Sequence, residues 1–335
     1  MSDKISSEEN ERLQPFFTNL DRDIFGLKLP QEVAGALFSR YSRSSKGLRQ
    51  VFLDEFLGQE GLTLPALPAE HDSAAIKKAR EFYDRVLIGY GDDSVAQLGG
   101  AHIACENISN VAANLLEDSR IGMAPLEKST RYVRFDKKDA NGEYLIFKEP
   151  RIMASRHAGE YLSVMNLLFE TYAAQLDPMI EFVKKSLPIS EMEFRHPKTG
   201  EPLNFGEIQK DEALTKWAET AYRSTVRSQA CDILRGYLPA ATKTNVGLFG
   251  TGQAFEYLLM KLYSNPLQEA RDLAAAIHRE LDGLIPSFVK RARASAFLAE
   301  TQAAIRKVSY QKLAGTSIEK TNAVTLIDYD AEAEE

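Results

Sequence analysis

Two long stretches with apolar residues at helical spacing limit what this chain can fold into. Residues 155–187 place Leu162, Met165, Leu168, Phe169, Tyr172 and Leu176 three or four positions apart, and residues 213–237 do the same with Trp217, Ala221, Val226, Ala230 and Leu234. A stripe of that period gives a helix one face for a core and one for water. Pro178 is expected to start a second part of the first helix, because proline is best tolerated in a first turn. The second stretch carries Arg223, Arg227 and Arg235 and is expected to stop at Gly236, with Leu238-Pro239 just beyond. Between them, residues 188–212 read as a polar surface insertion.

Shorter elements fill the rest. Residues 1–12 are polar and read as disordered. Pro30 and Glu32 open a helix in which Val33, Leu37, Phe38 and Tyr41 recur at helical spacing. Residues 59–71 read as a Pro/Leu linker, and Asp72-Ser73 cap a helix over 74–88. AHIACENI, residues 101–108, is a candidate strand, and Ser109 or Asn110 caps a helix over 111–117. Tyr132–Phe135 and Tyr144–Phe147, joined through Asn141-Gly142, read as a short hairpin over 132–148. Helices follow over 253–264 and from Pro266 to about 284, with Pro286 restarting a run to about 305.

Three segments are candidate anion sites. DSRIGMAPLEKSTRY, residues 118–132, reads as a helix end, an irregular loop around Gly122 and Pro125, and a second start. Its Ser129, Arg131 and the backbone N–H groups between them suit an anion, because an arginine fork matches phosphate oxygens and hydroxyls add donors. SRYSRSSKGLR, residues 39–49, interleaves Arg40, Arg43, Lys46 and Arg49 with four serines. The loop at 241–252 has three glycines and opens a helix, whose N-terminus could cradle phosphate, although it matches neither GxGxxG nor a Walker motif. The bland alternatives are a salt-bridged loop, a basic surface loop and a helix connection.

The composition narrows the function classes. The 335 residues are 44% hydrophobic and 27% charged, in the range of globular proteins, and the net charge of −7 gives no global basic field for nucleic acid. No apolar run is long enough to span a membrane, and the acidic N-terminus has no signal-peptide core. Cys105 and Cys231 are too few and too far apart for a zinc site or disulfide scaffold, which fits a reducing cytoplasm. The five histidines, at 71, 102, 157, 196 and 278, show no metal-binding spacing, so no metal is expected.

Taken in order, SRYSR at 39–43, GDDSVAQ at 91–97, SRIGMAPLEKSTRY at 119–132 and RGYLP at 235–239 followed by Thr244 resemble the motifs of the flavin-dependent thymidylate synthase family, often called ThyX. The resemblance covers roughly residues 33–300. It rests on four ordered segments, with Glu127, Ser129, Arg131 and Tyr132 on the Glu, Ser, Arg and Tyr of the signature RHRxxSxNExSxRY. It implies a helix-rich α+β fold with a small mixed sheet, as the protomer of a homotetramer with FAD at subunit interfaces. It implies a FAD-dependent thymidylate synthase that methylates dUMP to dTMP. Methylenetetrahydrofolate would donate the carbon, and flavin reduced by NADPH would donate the hydride. Residue by residue, Glu127, Ser129, Arg131 and Arg235 would hold dUMP, Arg235 coming from another subunit. Ser42, Ser94, Gln97 and Arg120 would contact FAD. Partners would be a small nucleotide and copies of the chain, not nucleic acid or membrane.

The sequence also departs from the family pattern. The Arg-His-Arg of the signature falls on Ser119-Arg120-Ile121, the histidine of the second motif on Asp92 and its glutamate on Gln97. A later asparagine and arginine fall on Thr251 and Leu262. Two alternatives therefore accompany the main reading: a family domain kept for structure, and a flavoenzyme acting on another uridine nucleotide. The resemblance divides the chain into an extension over 1–28, a domain over 29–305 and a tail over 306–335. VTLIDYDAEAEE in that tail resembles the start of a family domain, so the chain is expected to be the divergent first domain of a tandem-domain member.

Overall fold

A computed structural model describes residues 6–57, 96–119 and 121–316. Short helical turns aside, the order is α1 (Ser7–Leu13), α2 (Gln31–Tyr41), α3 (Leu48–Phe52), β1 (Gly100–Ser109), α4 (Asn110–Glu117), β2 (Met123–Glu127), α5 (Ala158–Ser186), β3 (Phe194–Arg195), β4 (Pro202–Leu203), α6 (Glu212–Leu234), β5 (Lys243–Thr251), α7 (Gly252–Tyr263), α8 (Gln268–Leu284), α9 (Pro286–Val289) and α10 (Ala296–Leu313). The helix-rich α+β expectation agrees with this order. The expected helix at 74–88, the linker before it and the strand-like tail lie outside the described residues.

The main sheet has the order β1-β5-β2, and both pairings are antiparallel, so the expected mixed sheet is corrected. Its centre is β5, in the segment read as a glycine-rich loop. Thr244, Val246, Leu248 and Gly250 face the core, while Gly247 and Phe249 face out, the period-two signature of a strand covered on one side. The glycines hid that alternation. β2 lies where the sequence suggests an irregular loop, and its proline is tolerated because β2 is an edge strand. In β1 the register slips between Cys105 and Ile108, where Asn107 takes a left-handed φ of 58° and its N–H donates to Asn245 Oδ1 at 3.1 Å.

The covered face of the sheet meets two amphipathic helices. Phe255, Leu258, Leu259 and Leu262 of α7 and Ala270, Ala274, Ile277 and Leu281 of α8 are buried against it, together with Val33 and Leu37 of α2. Leu13 and Phe17 belong to the same core. The disorder expected for residues 1–12 is therefore corrected over the described part: Ser6 and Glu9 form a capping box that starts α1, and Leu13 anchors its end. A second core joins α5 to α6 through Phe169, Tyr172, Leu176, Val226, Ala230 and Leu234. Pro178 lies inside an unbroken α5 rather than restarting it.

Three other expectations change. The hairpin over 132–148 keeps its turn, closed by Gly142 N–H on the Asp139 carbonyl, but its arms form no strands; only Ile146 bridges to Thr242. The insertion at 188–212 is not bare loop: β3 pairs with β4, and Phe194 and Ile208 pack with Ala218 of α6 into a small separate core. The helix restarted at Pro286 stops at Val289, and α10 begins only after its N-cap Ser295.

Candidate functional site

The end of β2 and the end of α6 converge. β2 runs antiparallel to β5 with Glu127 opposite Val246, and Lys128 N–H extends the ladder to the Asn245 carbonyl at 2.9 Å. The chain then turns: Tyr132 and Val133 donate to the Ser129 carbonyl, and the Arg131 N–H reaches Ser129 Oγ at 3.3 Å. On the other side, α6 ends with Asp232 in its last turn and Arg235 at its C-cap. Asp232 Oδ1 lies 3.1 Å from Arg235 Nε and 3.6 Å from Arg131 Nε. Arg131 and Arg235 come from opposite halves of the chain and share one carboxylate.

The electrostatics of this corner favour an anion. Arg131 and Arg235 are about half exposed, at 52% and 50%, and Asp232 is 35% exposed. Two guanidinium groups face one carboxylate, which leaves a net positive charge and several unused N–H donors. Neither Nε contact has hydrogen-bond geometry, since Asp232 Oδ1 is buried without a hydrogen-bond partner. Asp232 is the residue the sequence reading missed. Its signal was present: it lies three residues before Arg235 on one helix, a spacing that brings side chains together.

Glu127 ends β2, four residues before Arg131. It lies on the half-buried side of β2 with Met123 and Pro125. Burial pushes its carboxyl above the ordinary range, and the like charge of Glu117 raises it further. A raised folded value means that stability from the protonated form is present at low pH and lost as pH rises through that value. Glu127→Gln should therefore raise Tm at pH 7 by on the order of 1–2 °C, with no gain below about pH 4. Melting curves across that range check it, and a gain that grows toward acid would refute it.

Of the residues expected at a flavin, the two that are described, Ser42 and Gln97, lie apart. Ser94 and Arg120 lie outside the described residues. Ser42 sits at the C-cap of α2, where its hydroxyl donates to the Ser39 carbonyl at 2.9 Å. Gln97 Nε2 donates to Gln253 Oε1 at 2.7 Å, near the other end of α2, where Gln31 accepts from Gly100 N–H. The 11 residues of α2 separate the two by roughly 16 Å. The cations of the 39–49 segment are engaged as well: Arg40 is bidentate on Glu55, Lys46 pairs with Asp54, Arg43 reaches Ser39, and Arg49 holds the Asn19 and Arg22 carbonyls.

Phosphate at the start of α7, the third expected site, is also corrected. The N-cap Thr251 already accepts from Ala254 N–H, and a Cβ on Gly252 would lie 2.4 Å from Phe288 Cβ and 2.9 Å from the Ala96 carbonyl oxygen. The glycine admits Phe288, not an anion. Leu262, where an arginine was expected, is buried in the core. Cys105 and Cys231 are free and buried, and burial pushes the Cys105 thiol up to about 11, so it stays protonated. A cleft of about 560 Å³ between the 138–148 turn and α5 contains none of the expected site residues. Among the described residues no cluster of acids, histidines and cysteines could hold a metal, and no helix is long and apolar enough to cross a membrane.

Known proteins place the chain. A UPF0159 protein of Chlamydia muridarum (strain MoPn / Nigg) is 44% identical over 86% of this chain and 50% of its own length. A UPF0159 protein of Chlamydia pneumoniae is 39% identical over 95% of this chain and 56% of its own. The chain thus spans about half the length of the curated relatives it matches. The flavin-dependent thymidylate synthase ThyX from Helicobacter pylori, solved with FAD and dUMP, covers 79% of this chain and 95% of its own at 15% identity and a TM-score of 0.38, too distant to fix residue correspondences. The family described as Thymidylate synthase complementing protein matches residues 58–287, more than half of the sequence, and the chain belongs to that family.

Proposed function

We propose that the chain holds dUMP, with the phosphate on Arg131 and Arg235 and the Glu127–Ser129 segment against the rest of the nucleotide. The observation that carries this reading is the convergence of the two arginines on Asp232, beside the segment that matches the family signature. Asp232 keeps the two forks side by side. A phosphate carries more charge than the carboxylate and accepts bidentate bonds from both arginines, so it competes for them. In the working assembly, a homotetramer in the cytoplasm, the domain would serve dTMP synthesis from dUMP, with methylenetetrahydrofolate as carbon donor and NADPH as reductant.

The described residues alone do not fit a flavin. Ser42 and Gln97 lie at opposite ends of α2, each with a partner in its own chain, and the nearby cations are paired. The flavin part of the proposal depends on Ser94, Arg120 and further chains. A second reading, a family domain kept for nucleotide binding or structure while chemistry lies elsewhere in a longer tandem protein, is favoured by two observations. Thr251 serves as a helix cap, and Leu262 is sealed in the core, where the family pattern has polar groups.

Calorimetric titration with dUMP and with 2′-deoxyuridine tests the reading. The proposal expects dUMP to bind at least roughly 100-fold more tightly, because two charge-assisted contacts are at stake. Equal affinities, or no binding of dUMP, would overturn it. The absorption spectrum of the same protein separates the two readings: dUMP binding without flavin absorbance, even after FAD is added, supports the second.

A further inference from the structure

β5 and the turn before it place two threonines on the core side. Thr242 and Thr244 are fully buried, and neither hydroxyl oxygen has a hydrogen-bond partner among the described residues. A buried hydroxyl without a partner is unfavourable, so a neighbouring acceptor is expected to use it. For Thr244 the register identifies the acceptor. On the β1 side it faces Ile108, which offers no side-chain acceptor. On the β2 side, Val246 pairs with Glu127, and Thr244 lies two residues from Val246 on the same face. One step further the register sets Ser129 opposite Thr244, but Ser129 Oγ already accepts from the Arg131 N–H, which leaves Glu127, the diagonal neighbour on the same face, as the acceptor.

We propose that Thr244 is the positioning residue for Glu127, its hydroxyl donating to the carboxylate and fixing both the direction and the charge of that group. The register puts the two side chains on one face of the sheet as diagonal neighbours, within reach of a glutamate side chain. The consequence of the contact for ligand binding rests on the nucleotide reading above. Every described group that acts on Glu127 fits the assignment. Burial and Glu117, from α4, oppose ionisation; among the described residues Thr244 alone favours it, and no cation does. A hydroxyl that donates to a carboxylate stabilises the charged form.

The test is a carbon-13 NMR titration of the glutamate carboxyls in the full chain, with the Glu127 signal assigned by its loss in Glu127→Gln. Thr244→Val should move the Glu127 midpoint upward by roughly half a pH unit or more. Thr244→Ser keeps the hydroxyl and should keep the wild-type midpoint, which a purely structural role for the threonine would not require. If the valine variant does not fold, Thr244→Ala gives the same readout. A midpoint unchanged by the valine or alanine variant, or a serine variant that shifts as they do, overturns the proposal. The titration needs no ligand. A shifted midpoint in a chain that binds no dUMP supports the contact and overturns the nucleotide reading alone.

Discussion

Phe288→Ala is expected to lower folding stability by about 3–5 kcal/mol, the range for a fully buried phenylalanine, and Tm by roughly 6–15 °C. The side chain is completely buried and is held between two glycines far away in sequence. A Cβ on Gly99 would lie 2.5 Å from the Phe288 ring, and one on Gly252 would lie 2.4 Å from Phe288 Cβ. Gly252 N–H also donates to the Gly99 carbonyl at 2.8 Å, so the start of β1 and the start of α7 are tied together beneath the ring. Gly252→Ala should destabilise too, because the Ala96 carbonyl cannot rotate away as a side chain would. The Gly252→Ala cost should largely persist in the double variant, since Phe288→Ala keeps the Cβ that lies 2.4 Å from the new methyl and leaves the Ala96 carbonyl in place. Urea denaturation of the two single variants and the double variant checks all three statements. A Phe288→Ala loss below about 1 kcal/mol would contradict the packing described here.

The second large effect concerns ligand binding. Arg131→Ala and Arg235→Ala should each weaken dUMP binding by roughly 10- to 100-fold, the value of a charge-assisted hydrogen-bonding group. Neither should move Tm by more than about 1–2 °C, because half-exposed ion pairs contribute little to folding. Affinity for 2′-deoxyuridine should be unchanged in both, which separates loss of phosphate contact from distortion of the corner. Lysine at either position should restore only part of the affinity, since a point charge lacks the bidentate fork. Variants that bind dUMP as the wild type does would remove these arginines from the site.

The contrast between these two effects shows what the sequence could reveal. The helices were legible because each presents a stripe: α5 and α6 bury Phe169, Tyr172, Leu176, Val226, Ala230 and Leu234 at the expected spacing. β1 was legible for the same reason at period two. β5 was not, because Gly247 and Gly250 interrupt its alternation and read as turn residues, although Gly250 is needed for the close approach of Met123. Pro125 concealed β2 in the same way, since a proline argues against a strand unless the strand is known to lie at an edge. The 132–148 arms have strand-like residues but do not pair with each other; the second arm only touches the start of β5, through Leu145 and Phe147 around the bridge from Ile146 to Thr242.

The candidate site was legible in part. Glu127, Ser129 and Arg131 were found together because they are neighbours in sequence. Arg235 was placed with them by resemblance and expected from another subunit; within a single chain it already lies beside Arg131 through Asp232. No local pattern could show that, because the contact depends on how the end of α6 meets the end of β2. The serine-and-arginine segment at 39–49 looked equally suited to an anion, yet its cations are held by Glu55, Asp54 and backbone carbonyls that sequence spacing does not reveal.

A crystal structure of the chain with dUMP tests the central claim most directly. The expected result is density for the phosphate within hydrogen-bond distance of both the Arg131 and Arg235 guanidinium groups, with Asp232 drawn away from at least one of them. Density for the nucleotide at another place, or none at saturating dUMP with the two arginines still on Asp232, would contradict it.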